Sequence, residues 1–300
     1  MNSIIKIGDV LDYLTQQGVV YQFQGDLSVD IEGFSSLGNY KGKTLTWIKK
    51  LDSIPNSEVL NDVTLAVVED GVKLELPNMI MVKNSKKCFF DIIEHFFNHP
   101  VILPEVGAGT YISPSVKLGK NVKIGYNCVL DGDITVGDGT VIYHNVSIIN
   151  KVKIGSDCVI QSGVVIGQDG FGYSEDEDHR KTMVRHYGGV IIGNNVHISA
   201  NCNIARGTID NTVIGDGSKF DALCHIAHNV EIGKNVALIA GATIYGSVQI
   251  GDNAYVSGCI VKNQKKIGEN ALVGMGSIVI KDVEAGMVVA GNPAKPLVKK

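Results

Sequence analysis

From residue 112 an aliphatic side chain recurs at every sixth position: Ile112, Leu118, Ile124, Leu130, Val136, Ile142, Ile148, Ile154, Ile160 and Ile166. The phase returns at Ile192, Ile198 and Ile204, then holds at Ile214, Phe220, Ile226, Ile232, Leu238, Ile244, Ile250 and Val256. After one missing residue it resumes at Val261, Ile267, Val273 and Val279. A period of six fits neither a 3.6-residue helix nor the alternation of a hairpin meander. It fits short strands joined by tight corners, one large aliphatic pointing inward per corner. Gly follows the aliphatic at 119, 137 and 155, and again at 215, 233 and 251, a spacing of 18 that predicts three six-residue faces per coil. The expected shape is a triangular β-solenoid over residues 101–292, about 50 Å long if roughly ten coils stack at the parallel-strand spacing. Cys128, Cys158, Cys202 and Cys224 each fall four residues after a column aliphatic and read as small core residues.

The repeat also accounts for the composition. Of 300 residues, 35 are Gly and 44% are hydrophobic. The glycines lack the three-residue period of collagen, and a missing Cβ at the corners would allow tight turns. No apolar run is long enough to span a bilayer, and the start Met1-Asn2-Ser3 has no basic or apolar leader. The six cysteines form no CxxC and no zinc spacing with histidine, so a reducing cytoplasmic setting without disulfides is expected. The net charge of −4 argues against nucleic acid, although residues 261–300 carry seven Lys against Glu269, Asp282 and Glu284.

Two segments leave the six-residue phase, and functional groups concentrate in such irregularities. The larger is the loop 167–190; the smaller is a four-residue insertion around Arg206 to Asn211. Residues 1–100 have another texture and are expected to form a small α/β domain. Lys6 to Gln17 and Lys86 to Asn98 read as helices, the second with Ser85 as N-cap and Phe89, Phe90, Ile93, Phe96 and Phe97 on one face. Strands are expected around Val29 to Ile31, Leu45 to Ile48, Val63 to Val68 and Met79 to Val82. Pro100 to Pro104 reads as a linker, and 293–300 as a C-terminal tail.

Three strings narrow the reading: Gly167-Gln168-Asp169-Gly170-Phe171-Gly172-Tyr173, Arg206-Gly207-Thr208-Ile209-Asp210-Asn211-Thr212-Val213-Ile214-Gly215, and His225-Ile226-Ala227-His228-Asn229-Val230. Together they resemble the UDP-3-O-acylglucosamine N-acyltransferase family of lipid A and lipopolysaccharide synthesis, among the left-handed β-helix hexapeptide acyltransferases. Gly33-Phe34-Ser35-Ser36-Leu37 and Leu45-Thr46-Trp47-Ile48 resemble that family's nucleotide-binding domain. The resemblance implies a left-handed parallel β-helix with its active site in the cleft between copies of a homotrimer. It implies His228 as catalytic base, Asp221 as the carboxylate orienting it, and Gly246, one coil above, as backbone donor to the oxyanion. Trp47 would stack on the base of a nucleotide-linked amino sugar, or else plug the small domain's core. Asp169, Gly170, Phe171, Gly172 and Tyr173 would wall the acyl or sugar site, with Asn229 and Gln264 as further substrate contacts.

The sequence departs from the family pattern at several points. Lys50 and Ser53 replace an Asn and a Tyr that hold the nucleotide, Gln264 replaces a second His, and Ala205 stands where Asp is usual. The string Val289-Ala290-Gly291-Asn292-Pro293-Ala294-Lys295 is typical of CoA-dependent sugar acetyltransferases. The donor is therefore either acyl carrier protein thioester or acyl-CoA, with no permanently bound cofactor. Lys262 and Lys295, with Lys265 and Lys266, would meet CoA phosphates or an acidic carrier protein, or form a solvated basic end. His144-Asn145 mimics the His228-Asn229 pair without a family match. His197 and His225 lack a convincing third ligand for zinc. Two alternatives stay open: acylation of another UDP- or dTDP-amino sugar for surface glycans, and a non-catalytic sugar-nucleotide-binding trimer.

Overall fold

The computed structural model describes residues 4–99 and 102–297. The Met1 to Ser3 start and the Pro100-Val101 portion of the expected linker lie outside the described residues. Cα packing divides the chain into two compact units, Met1–Val101 and Ile102–Lys300.

The first unit carries a five-stranded sheet in the order Tyr21–Gln24, Met79–Val82, Leu65–Glu69, Thr44–Ile48, Gly33–Phe34. Its first pairing is antiparallel and the others are parallel. Helices Ile7–Gln16 and Ser85–Phe97 contribute Val10, Leu11, Leu14, Phe89 and Ile92 to a core shared with Leu45, Leu65, Val67 and Ile80. Two expectations are corrected. The N-cap of the second helix is Asn84, whose side chain accepts from the Lys87 N–H, while the Ser85 hydroxyl donates to Glu69. The helix buries Ser85, Cys88, Phe89 and Ile92, the i, i+3, i+4, i+7 stripe, and this leaves Phe90 half exposed on another face. Strand Tyr21–Gln24 was not foreseen, since four residues carry too little pattern.

The second unit is a parallel β-solenoid. Strands pair in register 18 residues apart, as Ile124 with Ile142 and Ile142 with Ile160. The step lengthens to 38 residues across the 167–190 loop and to 22 across the Arg206 to Asn211 insertion. It shortens by one residue where Thr243 pairs Ile260. The strands form one sheet of ten and one of fifteen. Column aliphatics from Ile124 to Val279, together with all four cysteines read as core, fill the interior in one contiguous cluster. Each such side chain contributes about 1.5–3 kcal/mol by leaving water.

The corners divide the role expected for glycine. The left-handed backbone conformation falls three residues after most column aliphatics, most often on Asn (Asn121, Asn127, Asn145, Asn195, Asn201, Asn229, Asn235, Asn253 and Asn270) and elsewhere on residues that include Gly139, Gly163, Gly217, Gly241 and Gly276. Glycines directly after the aliphatic, such as Gly137, have ordinary φ; a Cβ there would come within 2.5 Å of the Gly155 backbone one coil on. They permit close stacking of coils, not the turn itself.

The loop carries its own antiparallel hairpin, Tyr173–Glu175 with Lys181–Met183. The expected tail at 293–300 is corrected in part: Lys295–Pro296 pairs antiparallel with Val288–Ala290, completing backbone hydrogen bonds at the last strand, and 298–300 lie outside the described residues. Among the described residues, no helix is long and apolar enough to cross a membrane.

Candidate functional site

A regular corner has a structural use for the side chain two residues after the column aliphatic. It accepts a hydrogen bond from the backbone N–H of the equivalent residue one coil back: Asp138 from Lys120, Asn194 from Ser156, Asp216 from Asn194, Asp252 from Lys234. His144 does the same, its Nδ1 accepting from the Tyr126 N–H at 3.0 Å while its ring stacks on Tyr126. His144 is thus a corner cap, and its lone pair is occupied.

His228 holds the equivalent position after Ile226, but the insertion in the preceding coil has changed what it meets. The Thr208 N–H and hydroxyl both donate to Asn229 Oδ1, at 3.0 and 2.7 Å. These donors fix which end of the Asn229 amide is oxygen. His228 Nδ1 lies 3.0 Å from the same oxygen, so Nδ1 carries the proton and Nε2 the lone pair. Insertion and asparagine together free the imidazole from capping duty and leave Nε2 available as a base.

Two glycines give the ring its space. A Cβ on Gly246 would lie 2.9 Å from His228 Nε2 and 2.8 Å from Cε1. Gly246 therefore lies against the basic edge of the ring, and among the described residues its N–H donates to no protein acceptor. On the other side Gly170, from the loop, fits between two imidazoles: a Cβ would fall 2.9 Å from His228 Cδ2 and 3.0 Å from His186 Nε2. The His186 and His228 rings meet edge to face with centroids 5.2 Å apart. A cavity of about 390 Å³ opens here, lined by Asp169, Gly170 and Phe171 from the loop and by His225, His228, Tyr245 and Gly246 from the solenoid. Its walls are mainly apolar with a few convergent polar groups, the usual character of a small-molecule site.

Asp221 does not orient His228 within the chain. Its carboxylate accepts from the Ala222 and Ala240 N–H groups in the turn before strand His225–Ile226, whereas His228 stands in the turn after that strand. At six residues per face, a separation of seven reaches the next corner; only multiples of a coil stack. Gln264 belongs to the same corner column as His228 and Gly246: it takes the left-handed position there and its N–H donates to the Gly246 carbonyl.

Other singled-out residues are less concentrated. Phe171 is largely exposed and packs against Tyr173; Gly172 lies against the His186 ring. Trp47 is half-buried in its strand and packs toward Phe89 as part of the first unit's core. Lys262 follows strand Ile260–Val261 of the fifteen-stranded sheet, while Lys295 closes the ten-stranded one. His197 and His225 lie on different sheets. Burial lowers the proton affinity of both, with the Lys219 charge adding to it at His197. Among the described residues no group of three His, Cys, Asp or Glu could hold a metal. His186 was missed by sequence reasoning: an isolated histidine late in an out-of-phase loop carries no spacing signal.

Residues 133–168 and 211–244 match the family model for the bacterial transferase hexapeptide repeat. The UDP-3-O-acylglucosamine N-acyltransferase of Methylobacterium nodulans is 40% identical over 132 residues, 43% of this chain and 37% of that protein. The UDP-3-O-acylglucosamine N-acyltransferase 2 of Legionella pneumophila is 49% identical over 86 residues, 28% of this chain and 24% of its own length. The matches thus span little more than a third of these curated relatives, or less. Among solved structures, LpxA from Acinetobacter baumannii aligns with a TM-score of 0.60 at 26% identity, covering 65% of this chain and 74% of its own. The solenoid is a left-handed parallel β-helix carrying bacterial transferase hexapeptide repeats. Its matched segment is similar in sequence to those UDP-3-O-acylglucosamine N-acyltransferases.

Proposed function

We propose that this chain is an N-acyltransferase that moves an acyl group from a thioester to the amine of a nucleotide-linked amino sugar. The observation that carries the reading is the His228 imidazole, its Nδ1 proton committed to Asn229 and its Nε2 edge lying against Gly246 in a 390 Å³ cavity. The substrate amine attacks the thioester carbonyl carbon and a C–N bond forms. His228 Nε2 takes the proton the nitrogen must lose. The Gly246 N–H stabilises the oxyanion of the tetrahedral intermediate. Collapse breaks the C–S bond, and the proton held on Nε2 passes to the departing thiolate.

The relatives' names favour a UDP-3-O-acylated glucosamine as acceptor and a role in lipid A synthesis. The first unit, through Trp47, would hold the nucleotide. Acyl carrier protein or CoA would bring the acyl group past Lys262 and Lys295. A homotrimer in the cytoplasm completes the proposal. Because Asp221 and His228 occupy successive corners of one chain, Asp221 would act on His228 only from a neighbouring copy. A second reading, acylation of another UDP- or dTDP-amino sugar from acyl-CoA, is favoured by Lys50, Ser53 and the C-terminal string ending at Lys295. Mass spectrometry of products tests both, with a panel of UDP- and dTDP-amino sugars each offered acyl carrier protein thioester or acyl-CoA. A mass gain of one acyl group identifies donor and acceptor. Nucleotide binding without any acylated product across the panel would leave only a sugar-nucleotide binder.

A further inference from the structure

A second cavity, of about 440 Å³, shares Asp169 with the His228 cavity and is otherwise lined by Asn150, Gln168, Arg185, His186 and Arg206, among others. Nothing in the acyl-transfer scheme uses it. Two guanidinium groups face it against one carboxylate. The Arg206 side chain is only 11% exposed, and its Nε is buried without a hydrogen-bond partner. Its ion pair with Asp169 is 3.7 Å long, beyond hydrogen-bond range. A buried guanidinium left so loosely matched carries an uncompensated desolvation cost that an oxyanion in the cavity would offset.

The second orphan is His186, which is 3% exposed. Its Nδ1 lies 3.1 Å from the Val184 carbonyl, a pure acceptor, so Nδ1 carries the proton and Nε2 the lone pair. That Nε2 is buried and has no partner. The loop therefore encloses one unmatched cationic donor and one unmatched neutral acceptor. An apolar acyl chain satisfies neither. A carboxylate or bare metal ion would satisfy only one.

We propose that this cavity binds a phosphate ester that bears a nearby hydroxyl: Arg206 and Arg185 donate to the phosphate oxygens, and the hydroxyl donates to His186 Nε2. The guanidinium fork matches two phosphate oxygens at once, which an ammonium cannot do. The choice of source rests on the acyl-transfer reading, which supplies two such groups: the sugar diphosphate of the acceptor and the phosphopantetheine arm of the donor. In either case the bound ester would lie one residue, Asp169, away from the His228 cavity.

The test is titration of the full-length protein, with imidazole nitrogens observed by NMR, against UDP-N-acetylglucosamine, 4′-phosphopantetheine and inorganic phosphate in separate arms. The expected result is that one of the two esters shifts the His186 nitrogens at lower concentration than inorganic phosphate does, and the arm that responds names the source. Arg185→Gln, an exposed position that leaves the core untouched, should weaken that ester about tenfold, the loss of one charge-assisted contact. Arg206→Gln should weaken it further, and His186→Gln should weaken the ester more than it weakens inorganic phosphate. The proposal is overturned if no probe moves the His186 resonances at millimolar concentration, or if an ester binds with affinity unchanged in both arginine variants. None of these readouts requires turnover, so a failure of acyl transfer and a failure of this site are separate results.

Discussion

Asn229 Oδ1 accepts from the Thr208 N–H, the Thr208 hydroxyl and His228 Nδ1, so a single amide oxygen holds both the insertion and the imidazole tautomer. Replacing Asn229 with Ala lets the ring turn and its tautomers mix. Turnover should fall about 10–100-fold, the usual scale for losing an outer partner of a working histidine, with the acidic limb of the kcat/KM profile displaced. Asn229→Asp keeps the acceptor and should lose less; an alanine variant with an unchanged pH profile would show that the contact positions nothing. Gly170 makes a second prediction at this scale. A methyl group there meets both His228 and His186, so Gly170→Ala should shift both rings' NMR signals and cut turnover while unfolding stays cooperative. Unchanged ring signals would contradict the close approach. The strings around His228 were legible in the sequence because they are local, and Gly246 because it is one full coil away. Where Asp221 lies relative to His228 was not legible, because a seven-residue spacing looks near in sequence yet lands on another corner of the same chain. His186 was invisible because its partners are brought to it by a loop with no period.

Coil geometry divides the glycines and asparagines into two kinds of element-level constraint. Gly137 stacks against the Gly155 backbone and tolerates no Cβ, whereas Asn121 sits at φ 57 with no such crowding requirement. Gly137→Ala should therefore cost about 1–3 kcal/mol by forcing coils apart, and Asn121→Gly less than about 1 kcal/mol, since glycine takes that φ freely. Urea unfolding of both variants checks the contrast, and equal losses would refute it. The columns were readable from residue 112 onward because each face imposes the same six-residue demand, and the two insertions showed themselves as breaks in it. What glycine does at a corner was not readable, because close stacking and left-handed turns select it alike. His197 and His225 add a pH dependence to the same faces. Both hold protons less tightly in the fold than the ordinary value near 6.5. Below that value the unfolded chain binds more protons, so this contribution is complete above pH 6.5 and is lost as pH falls toward the lowered values. Urea midpoints should decline from pH 7 to pH 5, and less so in a His197→Gln, His225→Gln variant that still folds.

At the scale of the whole chain, one aliphatic interior runs the length of the solenoid while the first unit has cores of its own. All six cysteines are free and buried, and burial pushes the Cys88 and Cys259 thiols up to about 11. Native protein should therefore react with none of its thiols towards a bulky disulfide reagent at neutral pH, and with all six after unfolding; rapid native labelling would mean that a core is open. The regular coils explain stability, and the departures from them, the 167–190 loop and the Arg206 to Asn211 insertion, bring the chemical groups together around His228. The most direct test of that assignment is acyl transfer by the wild-type and His228→Ala proteins, read by product mass on the amino-sugar and donor panel with thermal unfolding measured alongside. The wild type should add one acyl group, and His228→Ala, at unchanged unfolding temperature, should do so at a rate at least about 100-fold lower. A folded His228→Ala protein that keeps full turnover would contradict the assignment.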